Sequence, residues 1–258
     1  MRLQGKVAIV TGSGRGIGAG IALACANEGA KVVVCDLDAE PAKQVADEIC
    51  ATGGEAISSA MDVTDRDQVE AALASATETF GSVDILVNNA GLSVPAMIEK
   101  MTMEQWDQVT AVNMTGVFNC TQIVGRAFLA RARDNKDALC NGKIVNVTSV
   151  AGLRGSVGQV NYAAAKAGVL GITMSTAREW GRFGINVNCV AFGMVETRMT
   201  ETIRTDPRFA DQYKKQIVLG RYSSPADVAP AVVFFASDDA NYVTGQILNV
   251  CGGADIHV

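Results

Sequence analysis

Histidine is nearly absent from this chain. The only one, His257, is the second-last residue, a place where chains are commonly poorly ordered unless tied down, so histidine acid–base catalysis and histidine metal sites are not expected. Cysteine pairing is missing too. The seven cysteines, at 25, 35, 50, 120, 140, 189 and 251, are odd in number and contain no C-x-x-C pair, which argues against a disulfide framework and a zinc site and for a reducing compartment. Nor is there an excess of positive charge: 22 Lys+Arg against 27 Asp+Glu leave a net charge of -5, without the electrostatic footprint of a nucleic-acid binder. The opening "MRLQGKVAIVTG" holds only a short apolar run before Thr11 and Gly12, too little for a signal peptide or a membrane span. These absences lead to the expectation of a cytoplasmic protein with no nucleic-acid, membrane or metal partner.

What is present is a rhythm. Across 258 residues, short β-branched runs such as "KVAIVTG", "KVVVCD" and "VDILVNNAG" alternate with longer helical stretches, the pattern of repeated βαβ units. The reading is a single α/β domain, a Rossmann-type doubly wound fold whose seven strands form one parallel sheet. The strands are nearly continuously apolar, as expected when helices cover both faces. Helices are expected from Met103 to about Arg133 and from about Asn161 to Arg182. Residues 131–142 read as a charged surface loop, and Ser224 and Pro225 as the N-cap and first turn of a late helix.

"TGSGRGIG", residues 11–18, follows a predicted strand and opens a predicted helix, the setting a phosphate-binding turn requires. Its spacing is T-G-x-x-x-G-x-G, with Thr11, Gly12, Gly16 and Gly18 at the fixed places; tight packing alone would also account for the glycines. Asp36 ends the second strand eighteen residues after Gly18, where a carboxylate can take ribose hydroxyls, although a solvated acid or helix cap would look the same. Asp62 and Val63 after the third strand, and "NNAG" (88–91) after the fourth, lie at carboxyl ends of strands, where ligands of open α/β sheets bind.

"NYAAAK", residues 161–166, sets Tyr162 four residues ahead of Lys166 on one helix face. A neighbouring ammonium favours the phenolate and brings a phenol, ordinarily near pKa 10, toward the range of general acid–base work. An exposed amphipathic pair is the plainer alternative. Ser149, at the end of the strand "KIVNVTS", adds a hydroxyl that could hold a substrate oxygen. A nucleophilic role for it lacks support, because no G-x-S-x-G elbow surrounds it.

With the glycine turn, "NNAG", Ser149 and Y-x-x-x-K in this order, the chain resembles the short-chain dehydrogenase/reductase family over essentially its whole length. The resemblance implies Tyr162 as catalytic acid/base, Ser149 orienting the substrate oxygen, Lys166 lowering the tyrosine pKa and binding the nicotinamide ribose, and Asn113 completing a water-linked proton relay. It implies cofactor contacts from Thr11, Gly12, Arg15, Gly16, Ile17, Gly18, Asp36, Asp62, Val63, Asn89, Ala90, Gly91, Tyr162, Lys166, Val195 and Thr197. The Tyr–Lys spacing is that of the family's dehydrogenases, not of its enoyl reductases. Phe192 stands where the family usually has proline, and is expected to add an apolar wall to the substrate pocket. Residues 194–216 are expected to form a substrate lid, and the long helices and last strand to build a homotetramer.

Three functions stay open at this point. One is an NAD-dependent secondary-alcohol dehydrogenase, with Met and apolar residues at 92–97 and at 194 and 199 pointing to an aliphatic substrate. Another is a 3-oxoacyl thioester reductase using NADPH, and the third a nucleotide-binding scaffold without turnover. On the cofactor, Arg15 could face a 2′-phosphate of NADP, or be a solvated turn residue, whereas Asp36 favours NAD, the expected choice.

Overall fold

The computed structural model describes residues 1–136, 138–206 and 210–256, so His257 and part of the expected lid lie outside the described residues. Seven parallel strands, β1 (Val7–Thr11), β2 (Lys31–Asp36), β3 (Ala56–Ala60), β4 (Ile85–Asn88), β5 (Gly142–Ser149), β6 (Ile185–Phe192) and β7 (Ile247–Val250), form one sheet in the order β3-β2-β1-β4-β5-β6-β7. The order reverses between β1 and β4, the switch point at which such sheets open a ligand crevice.

Helices α1 (Gly16–Asn27) and α2 (Ala39–Ala51) cover one face with the late helix Pro225–Ala236. Their Ile21, Cys25, Ile49, Val228 and Val232 meet Val10, Val34 and Val190 of the sheet. The other face carries α3 (Arg66–Phe80) and the long helices Gly116–Asp134 and Val160–Trp180, packed on Ile9, Val33, Leu86, Ile144 and Val187. Apolar area is thus buried on both faces at about 25 cal/mol per Å², which is why the strands read as unbroken apolar runs. The late helix starts as its sequence indicates: Ser224 accepts from the Asp227 amide at 3.2 Å in a capping box, with Pro225 in the first turn.

Two boundaries differ from the sequence reading. The helix expected from Met103 to Arg133 is broken into α4 (Met103–Thr110), a π turn at Ala111–Thr115 and α5 (Gly116–Asp134). The loop expected at 131–142 is helical to Asp134 and becomes strand at Gly142. Arg131 anchors the end of α5. Its guanidinium meets Asp84 Oδ1 at 2.6 Å and the Val83 carbonyl, while Asp84 Oδ2 accepts from the Val7 amide at 2.9 Å; a tertiary contact thus holds the last helical turn.

Beyond α5 come α6 (Val150–Arg154), α7 (Val160–Trp180), α8 (Glu201–Thr205), α9 (Ala210–Lys215) and α10 (Pro225–Ala236). Where α5 crosses α7, Gly125 lies against the Trp180 indole with no space for a Cβ. Alanine ordinarily favours a helix over glycine by about 1 kcal/mol, but overpacking costs about 1–3 kcal/mol. Gly125→Ala should therefore lower the thermal midpoint, with turnover per folded molecule unchanged; calorimetry giving an equal or higher midpoint would show that the indole can move aside.

Candidate active site

The glycine turn is built by contacts that leave no choice of residue. Gly12 and Gly16 have φ of 62° and 58°, left-handed values that glycine adopts without penalty. A Cβ on Gly12 would stand 2.7 Å from Ala90 Cα, and one on Gly18 would strike the Gly12 carbonyl. The turn is sewn to the end of β4. Thr11 Oγ1 accepts from the Asn89 and Ala90 amides at 3.0 Å each, and Asn89 Nδ2 donates to the Thr11 and Gly12 carbonyls at 2.9 Å. Helix α1 then begins with no side-chain cap and no acidic residue in its first turn. An uncapped helix N-terminus presents free amides and a positive dipole end to an anion, so these residues fit a pyrophosphate.

Asp36, at the end of β2, accepts from the Gly14 amide at 2.8 Å through Oδ2. Arg15 pairs with Asp38, not with Asp36. Asp62 Oδ1 takes the Thr64 amide and hydroxyl at 2.8 Å each, and buried Val63 fills the space over Gly116. Thr197 reaches over the turn, its Cγ2 3.4 Å from where a Gly16 Cβ would be, and Val195, buried beside it, accepts from Thr200 Oγ1 at 2.6 Å. Ile17 packs against the α1–α10 side of the core.

Ser149, Tyr162 and Lys166 come together where β5 meets the start of α7. Ser149 Oγ accepts from the Ala151 amide at 3.2 Å, capping α6. Burial pushes the Tyr162 phenol above its ordinary pKa, and the neighbouring Ser149 hydroxyl opposes that rise. Lys166 is 3% exposed, its ammonium 5.8 Å from the Tyr162 ring centroid and donating to the Val147 carbonyl at 2.9 Å. Burial lowers its pKa to about 8, with Cys189 opposing.

Asn113 sits in the π turn, fully buried. Its Oδ1 accepts from the Leu92 amide and its Nδ2 donates to the Leu92 carbonyl, both at 2.8 Å. The side chain holds the segment after Gly91. A Cβ on Gly91 would lie 3.1 Å from Asn113 Oδ1 and 3.4 Å from Lys166 Nζ, which places the end of "NNAG" directly beside the cluster.

The expectation for Phe192 is corrected. It is 3% exposed and packs with Val147, Val190 and Val195 in the core under α10, because residues two apart on a strand share a face. The residue that a fold-level reading of this segment overlooks is Asn161. Fully buried, it accepts from the Tyr162 amide at 2.8 Å and donates to the Val94 and Gln105 carbonyls at 3.0 Å each, locking the loop after β4 and α4 to the first turn of α7. Its only sequence signal is its place beside the tyrosine.

A cavity of about 410 Å³ lies among Leu129, Arg133, Arg178 and Trp180, at the far ends of α5 and α7 from the cluster. A smaller one of about 160 Å³ lies among Met194, Ile217, Leu219 and Val250, beneath the segment that follows β6. Among the described residues no group of three or more His, Cys, Asp or Glu could hold a metal, and no helix is long and apolar enough to cross a membrane.

Comparison with known proteins agrees with this geometry. A family profile described as enoyl-(acyl carrier protein) reductase matches residues 12–255. The 3-oxoacyl-(acyl-carrier-protein) reductase FabG of Thermotoga maritima is 42% identical over 253 residues, covering 98% of this chain and 99% of the relative. That of Vibrio cholerae is 41% identical over 253 residues, covering 98% of both. Among solved structures, a candidate NAD(P)-dependent gluconate 5-dehydrogenase of Beutenbergia cavernae, with NADP bound at low occupancy, is 36% identical with a TM-score of 0.90, covering 98% of this chain and 97% of its own. A candidate 2-deoxy-D-gluconate 3-dehydrogenase of Agrobacterium tumefaciens with bound NADP is 37% identical with a TM-score of 0.89, again covering 98% and 97%. With a nucleotide turn, a crevice at the sheet's switch point and a Ser–Tyr–Lys cluster on one chain, the protein belongs to the short-chain dehydrogenase/reductase family and is an NAD(P)-dependent oxidoreductase acting on CH–OH groups.

Proposed function

We propose that the protein reduces a 3-oxoacyl thioester to the 3-hydroxyacyl thioester, with NADH as the preferred cofactor. The observation that carries the substrate class is the near full-length similarity to 3-oxoacyl-(acyl-carrier-protein) reductases at about 40% identity. Of the functions open from sequence, the thioester reductase has the better support. Apolar side chains at the rim agree with an acyl chain. The Ala96 amide donates to the Gly158 carbonyl at 2.9 Å; the residues next to that bond, Met97 and Val157, are 48% and 88% exposed, and Met199 is 53% exposed at the start of the lid segment. A sugar-acid dehydrogenase is the second reading, favoured by the two NADP-bound structures.

When bound, the nicotinamide supplies the hydride. The Thr11–Gly18 turn and the α1 N-terminus hold the pyrophosphate, Asp36 the adenosine ribose, Asp62 and Val63 the adenine, and Asn89, Ala90 and Gly91 the wall behind. Val195 and Thr197 take the carboxamide, and Lys166 the nicotinamide ribose. Ser149 holds the substrate carbonyl oxygen. Tyr162, kept protonated by burial, would give that oxygen its proton. The Lys166 ammonium then stabilises the phenolate left behind.

For the cofactor, Asp36 and the Arg15–Asp38 pair both support NAD. Like charges about 4 Å apart at an effective dielectric near 20 repel by roughly 4 kcal/mol, which a 2′-phosphate beside Asp36 would suffer. Arg15, already engaged by Asp38, gives it little relief. The homotetramer belongs to the same reading: Phe118 on α5 and Met174 on α7 stand 46% and 45% exposed, on the two helices expected to pair. A monomer by light scattering at micromolar concentration would count against it.

Absorbance assays with acetoacetyl thioesters, simple ketones and gluconate should give turnover with the thioester and a higher kcat/KM for NADH than for NADPH, with Asp36→Ala relaxing that preference. Faster oxidation of gluconate with NADP would favour the second reading. Tyr162→Phe should lower turnover by ~10²–10⁴ with NADH affinity within about twofold; near-normal turnover would remove Tyr162 from the chemistry. With NADH as the varied substrate, kcat/KM reports the free enzyme. It should stay level through neutral pH and fall above about 8, where Lys166 loses its proton while the phenol keeps its own. A rise through that range would contradict this assignment.

A further inference from the structure

Lys166 is held at both ends by two consecutive residues of β5. The Val147 carbonyl accepts from its ammonium at 2.9 Å, and Thr148 Oγ1 donates to its backbone carbonyl at 2.7 Å. The next residue is Ser149. Thr148 is 2% exposed and Lys166 3%, so neither bond is shared with bulk water. The Lys166 carbonyl lies inside α7, where the helix's own ladder already serves it. The threonine therefore adds a second donor that helix formation does not require. Across from it, Gly152 of α6 lies so close that a Cβ would stand 2.7 Å from the Lys166 carbonyl carbon. Helix α7 is thus pinned against β5 at this one residue, one turn past Tyr162.

We propose that Thr148 is a positioning residue, its hydroxyl fixing the height of α7 over β5 so that the Lys166 ammonium meets the nicotinamide ribose. The inference rests on the reading of Lys166 given under Proposed function. Valine has threonine's shape without its hydroxyl, and would let α7 slide by a few tenths of an ångström along the strand end. A shift of that kind weakens contacts made by Lys166 and leaves those of the glycine turn and Asp36 as they are.

The test compares two ligands on the full-length protein by titration calorimetry: NADH, which reaches Lys166, and ADP, which occupies only the adenosine and pyrophosphate half. Thr148→Val should weaken NADH by about fivefold, the loss of one ordinary hydrogen bond, leave ADP within about twofold and lower turnover. Thr148→Ser should restore NADH affinity and turnover. Equal weakening of both ligands, wild-type affinities in the valine variant, or a serine variant that behaves like valine would each overturn the proposal. If circular dichroism shows the valine variant unfolded, Thr148→Cys, with its weaker donor, takes its place under the same criteria. A wild-type protein that bound ADP but not NADH would instead overturn the reading of Lys166, and this would be seen before any variant is made.

Discussion

A buried ammonium sets the terms for the rest of this molecule. Lys166 has no carboxylate within 4 Å among the described residues, and its cation rests on one neutral carbonyl. Lowering its pKa from 10.5 to about 8 corresponds to a cost on the order of 3 kcal/mol for keeping the charge there. Such a cost persists only where the surroundings hold the group firmly. The β5 end, the glycine contact from α6 and the Asn161 clamp on the first turn of α7 all do so. Placing an acceptor-rich, partly anionic ligand against that ammonium would relieve the cost, which is the physical ground of the role proposed for Lys166.

The nucleotide half is arranged by the opposite means, with little charge and much backbone. Gly12 and Gly18 permit contacts that any side chain would prevent, and Thr11 and Asn89 fix the turn to β4. Asp36, at the end of β2, accepts from the Gly14 amide of the turn. Arg15, the one cation inside the turn, is turned aside by Asp38.

Much of this was legible in the sequence, for a local reason. Strand runs, the spacing of the glycine turn and the i, i+4 tyrosine and lysine are short-range patterns, and a parallel sheet turns them into one crevice without further instruction. What was not legible depends on distant contacts. The last turn of α5 is held by Arg131 meeting Asp84, 47 residues away. Phe192 lies in the core because its face of β6 is decided by α10. Thr148 looks ordinary in sequence, and the partners of Asn113 and Thr148, Leu92 and Lys166, appear only when the chain is folded. The π turn at Asn113, too, is invisible to a 3.6-residue periodicity.

The central claim is that the Ser149–Tyr162–Lys166 cluster serves hydride transfer to a 3-oxo carbon. Its most direct test is mass spectrometry of the product formed from an acetoacetyl thioester and NADH carrying deuterium at both C4 positions. The account predicts one deuterium on C3 of a 3-hydroxybutyryl thioester. NADH binding with no labelled product from any carbonyl substrate offered would contradict it.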